Sequence, residues 1–221
     1  GGVAGVLAGA TGGWLLALMP GGTAPPALAG VLAAVGGGCG AMAGASVGAG
    51  ISMAEAVARS RRITGLVIGA AAGGGLAGAL AQWLGRWTLS TLVGVEVSIG
   101  GGLEGVVLGA AVGLGYALAT RHAEGGLAAP RGRQRVATVA LVAAGCALAA
   151  LGLTLAGRPL VGGTINAIAE SATRSQAALA SLGRLVGEPN FGPLSRALLG
   201  LGEGAMFGAG VASGLTHRRR G

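Results

Sequence analysis

Apolar residues run along this chain in long blocks, and polar residues collect between them. Residues 3–19, 27–58, 63–84, 101–122, 136–156 and 194–216 each predict a helix able to cross a bilayer, which takes roughly 20 residues. The breaks are chemical as well as compositional. Pro20-Gly-Gly22, Pro25-Pro26 and Gly157-Arg-Pro159 separate neighbouring blocks, and proline cannot continue a helix. At a rise of about 1.5 Å per residue, the 27–58 block exceeds the membrane, so its last turns are expected in water. Trp83, Arg86 and Trp87 close the third block, a composition suited to a membrane–water interface. Residues 88–98 then predict a short external connection.

One region departs from the pattern. Between 160 and 193, Ile165, Ile168, Ala172, Leu179, Leu182 and Val186 recur at helical intervals, while Glu170, Arg174 and Arg184 fall on another face. This predicts an amphipathic helix at about 164–186, with Thr164 as N-cap, lying on the membrane surface.

Within the apolar blocks, glycines stand four residues apart. Aligning Cys39-Gly40, Glu104-Gly105 and Glu203-Gly204 brings three ladders into register: Gly36, Gly40, Gly44 and Gly48; Gly101, Gly105, Gly109 and Gly113; Gly200, Gly204 and Gly208 with Ala212. Each ladder runs into an arginine cluster. Upstream, Gly85-Arg86 matches Gly157-Arg158. The sequence therefore predicts one helical hairpin used three times. Hairpin 1 covers 1–62, hairpin 2 covers 63–122, a basic loop covers 123–135, and hairpin 3 covers 136–221 with the amphipathic insertion. Residues at i and i+4 share a helix face, and without side chains there two backbones can approach closely. The expected fold is an all-α integral membrane protein with six spans and glycine-zipper packing.

Composition strengthens the membrane reading. Of 221 residues, 52% are hydrophobic, 10% charged and 49 are glycine. Soluble domains carry about 25% charge. No Gly-X-Y period is present, which excludes collagen. The net charge of +8 comes from arginine alone, since lysine is absent. Arginines 59, 61, 62, 121, 131, 133, 135, 218, 219 and 220 follow the second, fourth and sixth spans, and only 86, 158, 174, 184 and 196 fall on the other side. This bias places both ends in the cytoplasm of a multi-pass inner-membrane protein and argues against a nucleic-acid partner. Cys39 and Cys146 fall inside spans, where free thiols rather than a disulfide are expected. The chain begins on glycine, so its true start is expected upstream.

Candidate chemistry is sparse. Glu104 and Glu203 are the acidic residues well inside spans, and an intramembrane carboxylate invites a functional reading. Counted back from the arginine ends they lie at matched depth. They either form an ion or proton site, or pair with Arg86 and Arg158 respectively to tie each hairpin together. Pairing is preferred, because arginine and glutamate appear together in hairpins 2 and 3 and are both missing from hairpin 1. Ser46 is flanked by Gly44 and Gly48, but His122 and His217 lie among the terminal arginines, out of reach as a base. No spacing suggests a metal site, and no cofactor is expected. The expectation is a non-catalytic membrane subunit or anchor, packing against itself or other membrane subunits; the alternative is a small channel or transporter using Glu104 and Glu203.

Overall fold

The computed structural model describes residues 2, 3, 5–7, 10, 27–57, 62–92, 100–120, 132–158, 160, 183, 184, 186–189 and 191–217. Five long helices carry the fold: α1 (Ala27–Val57), α2 (Arg62–Leu92), α3 (Gly102–Ala119), α4 (Arg133–Leu155) and α5 (Pro193–Leu215). They correspond to the second to sixth predicted spans. Among the described residues there is no strand. Most of the predicted first span, the 121–131 part of the basic loop and nearly all of the predicted amphipathic helix lie outside the described residues.

Four stretches are long and apolar enough to cross a membrane: Ile63–Leu84, Gly102–Ala119, Arg133–Leu155 and Pro193–Leu215. Such helices mark a multi-pass membrane protein. Glycine lowers helix stability by about 1 kcal/mol relative to alanine in water, yet this glycine-rich chain is helical. In hydrocarbon every backbone N–H and C=O must be satisfied within the segment, and the helix does this locally. Two boundaries differ from the sequence reading. α2 continues through Trp87 to Leu92, where an external connection was expected, and Arg133 and Arg135 open α4 rather than ending a loop.

The helices pack antiparallel to their chain neighbours, and glycine sets the closeness. A side-chain carbon on Gly105 would collide with the Gly74 carbonyl, one on Gly109 with that of Ala70, and one on Gly78 with that of Gly101. In the α4–α5 pair, a side-chain carbon on Gly204 would collide with the Cys146 carbonyl, one on Gly208 would lie 2.8 Å from that of Val142, and one on Gly200 would lie 2.5 Å from the Thr154 hydroxyl and 3.6 Å from the Ala150 carbonyl. The first residues of the chain repeat the contact, Gly5 standing against the Gly36 carbonyl. Gly73, Gly74 and Gly75 show how tightly α2 is held: Gly73 abuts Ser46 of α1, whereas Gly74 and Gly75 abut Gly105 and Val106 of α3. No side chain would fit on either flank.

The core lies where all five helices converge. Val47 and Ile51 of α1, Leu66 and Ala70 of α2, Val112 and Ala117 of α3, Val142 and Cys146 of α4, and Val211 and Ala212 of α5 form one buried cluster. Val47, Val112 and Val211 occupy matching places in the three glycine ladders, and all three are buried. The buried threonines nearby cost little, because each hydroxyl donates to a carbonyl four residues back: Thr120 to Tyr116 at 2.8 Å, Thr138 to Gln134 at 2.8 Å and Thr216 to Ala212 at 2.7 Å.

The outward faces differ. α2 shows Ile68, Leu76, Leu80, Trp83 and Trp87, and α4 shows Val136, Leu141, Leu148 and Leu155, side chains suited to lipid. α1 shows Met53 near its end and Ala34, Gly38, Ala41, Ala45 and Ala49 along the rest of its length, Ala41 lying beside Gly2.

Candidate functional site

The polar constellation within the membrane helices centres on Glu104. It occupies the third position of α3, after N-cap Gly101. Glycine has no side chain to cap the helix, so Glu104 turns back and its Oε2 accepts the Gly101 N–H at 2.7 Å. Its other oxygen, Oε1, accepts from Arg158 Nη1 at 3.0 Å. A carboxylate in the first turn also meets the positive end of the helix dipole. The Glu104 side chain is 8% exposed and that of Arg158 is 54% exposed.

Arg158 reaches this point through the way α4 ends. Gly157 adopts φ +74°, in the left-handed region where glycine is favoured. The Arg158 N–H then donates to the Leu153 carbonyl at 2.8 Å and the Gly157 N–H to that of Thr154 at 3.1 Å. This paired closure satisfies carbonyls left open at a helix C-terminus, and it turns the chain so that Arg158 faces the start of α3. The ion pair thus joins the end of α4 to the start of α3. The sequence reading paired Glu104 with Arg86 of its own hairpin, and this is corrected: Glu104 is taken by Arg158, the residue that reading had given to Glu203. Arg86 is exposed on α2, and Glu203 is half-buried in the third turn of α5.

A second carboxylate, unremarked in the sequence, has a structural role before α5. Gly187, at φ +84°, ends a short helical turn whose Gly183 carbonyl accepts the Glu188 N–H at 2.9 Å. Glu188 then caps α5, accepting the N–H groups of Gly192 at 3.1 Å, Leu194 at 2.9 Å and Ser195 at 2.9 Å, and the Ser195 hydroxyl at 2.6 Å. The Ser195 hydroxyl, followed by these backbone donors, holds the Glu188 carboxyl below its ordinary range. Proline at the first helical position and serine at the third were the available signals.

Among the described residues no cluster of His, Cys, Asp and Glu could hold a metal ion. Of the ladder glycines, Gly101, Gly105, Gly109 and Gly113 all face α2, and Gly200, Gly204 and Gly208 all face α4. Gly36 meets Gly5, and a side-chain carbon on Gly48 would lie 3.9 Å from Leu215 Cδ2 of α5; Gly40 and Gly44 are half-buried. On α2 the row facing α3 is Ala70, Gly74 and Gly78, while Gly69 and Gly73 face α1. Compared with known proteins, the chain matches no family model, no curated sequence and no solved structure.

Proposed function

We propose that this chain is a non-catalytic membrane subunit or anchor, built from three glycine-zipped hairpins with six spans and both ends in the cytoplasm. The observation that carries this reading is the commitment of Glu104: both of its oxygens are bonded within the protein, one to the Gly101 N–H and one to Arg158. A carboxylate so held serves cohesion between hairpins rather than ion passage. The aliphatic cluster at the meeting point of the five helices and the self-satisfied threonines support the same reading, since a conducting path needs polar groups. Three hairpins of common origin are supported by one rung that recurs in each: Gly5 on Gly36, Gly78 on Gly101, and Ala150 opposite Gly200. The small-residue face of α1 fits close approach by another membrane helix, in a homo-oligomer or with other membrane subunits.

The test is flux. The purified chain reconstituted in liposomes with pH- and potential-sensitive dyes is expected to leak no faster than protein-free vesicles. A proton or cation flux abolished by Glu104→Gln or Glu203→Gln would establish the channel reading instead.

A further inference from the structure

α3 and α4 draw apart toward the end that carries the Glu104–Arg158 pair, and three glycines measure the separation. Near the other end, a side-chain carbon on Gly115 would stand 3.0 Å from Val142 Cα. Further along, one on Gly145 would stand 3.7 Å from the Ala111 carbonyl oxygen. Gly152 lies two turns beyond Gly145 on the same stripe of α4. It is exposed, and no atom lies within 4 Å of where its side chain would begin. The two helices therefore touch in one half of the membrane and leave a cleft in the other half. The rims of this cleft are apolar: Leu103 of α3 is 51% exposed, and Leu148 and Leu155 of α4 are 66% and 73% exposed. Its mouth is bridged by Arg158, which follows α4 by three residues and bonds across to Glu104 of α3 at 3.0 Å.

We propose that the α3–α4 cleft binds one anionic phospholipid, with its phosphodiester on the Arg158 guanidinium and an acyl chain lying over Gly152 between the leucine rims. The level is right. Arg158 stands just past the span Arg133–Leu155, where a basic side chain meets lipid headgroups. The donor is right. A guanidinium carries five N–H groups in a planar fork that fits a phosphate, Glu104 takes one through Nη1, and the Arg158 side chain is still 54% exposed. Glu104 fixes the arginine without hiding it. The sign is right as well. The carboxylate side of the pair is buried, with the Glu104 side chain 8% exposed, so the pair turns its cationic side outward. A phosphodiester with an uncharged headgroup satisfies that side, whereas a choline headgroup brings a second cation beside it. Below the headgroup, apolar walls around a glycine floor offer a chain dispersion contact on three sides. The inference needs α3 and α4 to span the membrane and does not depend on the number of hairpins or on the anchor reading.

Native mass spectrometry of the delipidated chain in detergent, titrated with phosphatidylglycerol or phosphatidylcholine, tests this. One phosphatidylglycerol is expected to be retained at about fivefold lower concentration than phosphatidylcholine, the preference that one arginine near the membrane surface supplies. Arg158→Gln should bring the two lipids within about twofold of each other. Because that change also breaks the pair with Glu104, Gly152→Leu gives a second reading. It fills the cleft at a position with free space, leaves Arg158 and Glu104 in place, and should weaken phosphatidylglycerol by about fivefold or more, since each buried methylene contributes. Arg86→Gln, an exposed arginine on α2 outside the cleft, should leave retention unchanged. Equal retention of the two lipids by the unaltered chain overturns the proposal, as does a Gly152→Leu chain that binds normally. An Arg86→Gln loss equal to that of Arg158→Gln assigns the preference to diffuse charge and overturns the site. Displacement of the lipid by glycerol phosphate, which has the headgroup chemistry without chains, overturns the lipid as occupant, and a lipid-free dimer in the same spectra assigns the cleft to a second copy.

Discussion

The α2–α3 and α4–α5 pairs solve the same packing problem with different residues. Both step four residues per rung, and both bring one backbone onto another. In α2–α3 glycine stands on both sides, Gly74 against Gly105 and Gly78 against Gly101. In α4–α5 glycine lies on α5 alone, and the α4 side supplies Val142, Cys146 and Ala150. One glycine row is therefore enough for contact. The second row in α2 serves another purpose: α2 is pressed on its other side by α1 through Gly69 and Gly73. α4 has a looser neighbour there, and its side chains fill the core, Val142 also meeting Gly115 and the Cys146 thiol lying 3.9 Å from the Leu108 carbonyl. The helix starts differ in parallel. α3 is capped by a glutamate of its own first turn, tied onward to Arg158, and α5 by a glutamate from the turn before it.

The strongest challenge to this contrast is to give one pair the residue of the other. Gly74→Cys places a thiol where Gly105 leaves no room, and a loss of about 3 kcal/mol is expected from overpacking, read by denaturing-detergent titration. Glu104→Ala removes the inter-hairpin pair and the α3 cap together; about 2 kcal/mol is expected, as for a hydrogen bond to a charged group, and the loss from Arg158→Ala should be non-additive with it in a double-mutant cycle. Cys146→Ala, the equivalent position in the looser pair, should cost about 1 kcal/mol or less. A loss equal to that of Gly74→Cys would erase the distinction. At the start of α5 the expected effect is local and depends on pH. The folded carboxyl of Glu188 is held below its ordinary range, so its contribution is complete above that range and disappears as pH falls through the depressed value. Exchange of the Leu194 and Ser195 amides should quicken over that fall, and Glu188→Gln should remove the dependence. The smallest change has the opposite sign. Gly202 has no atom near its missing side chain, so Gly202→Ala should stabilise by about 0.5 kcal/mol through helix propensity.

Period and composition carried the helices and the glycine faces of α3 and α5, because i, i+4 spacing is a property of one segment. They did not carry the partner of Glu104. Gly85-Arg86 and Gly157-Arg158 read alike in the sequence, and choosing between the two arginines requires knowing that α4 ends beside the start of α3, which the closure at Gly157 decides. Gly74 and Gly78 were hidden for a related reason. In the run Gly73-Gly74-Gly75 every four-residue phase contains a glycine, and only the neighbours on each side distinguish the phases.

The unequal lengths of α2 and α3, 31 and 18 residues, limit how the protein can stand in a membrane. At about 1.5 Å per residue the first is a rod of roughly 46 Å and the second one of roughly 27 Å. A hydrocarbon layer about 30 Å thick would hide the longer rod only at a tilt near 50°, beyond the usual range of about 0–40°. α2 cannot lean that far alone, because its backbone is in contact with α3 from Leu66 to Gly78. The stretch carrying Trp83, Arg86 and Trp87 must then rise past the start of α3 as a fixed mast, so the protein's height above one membrane face is set by glycine contacts buried well below it.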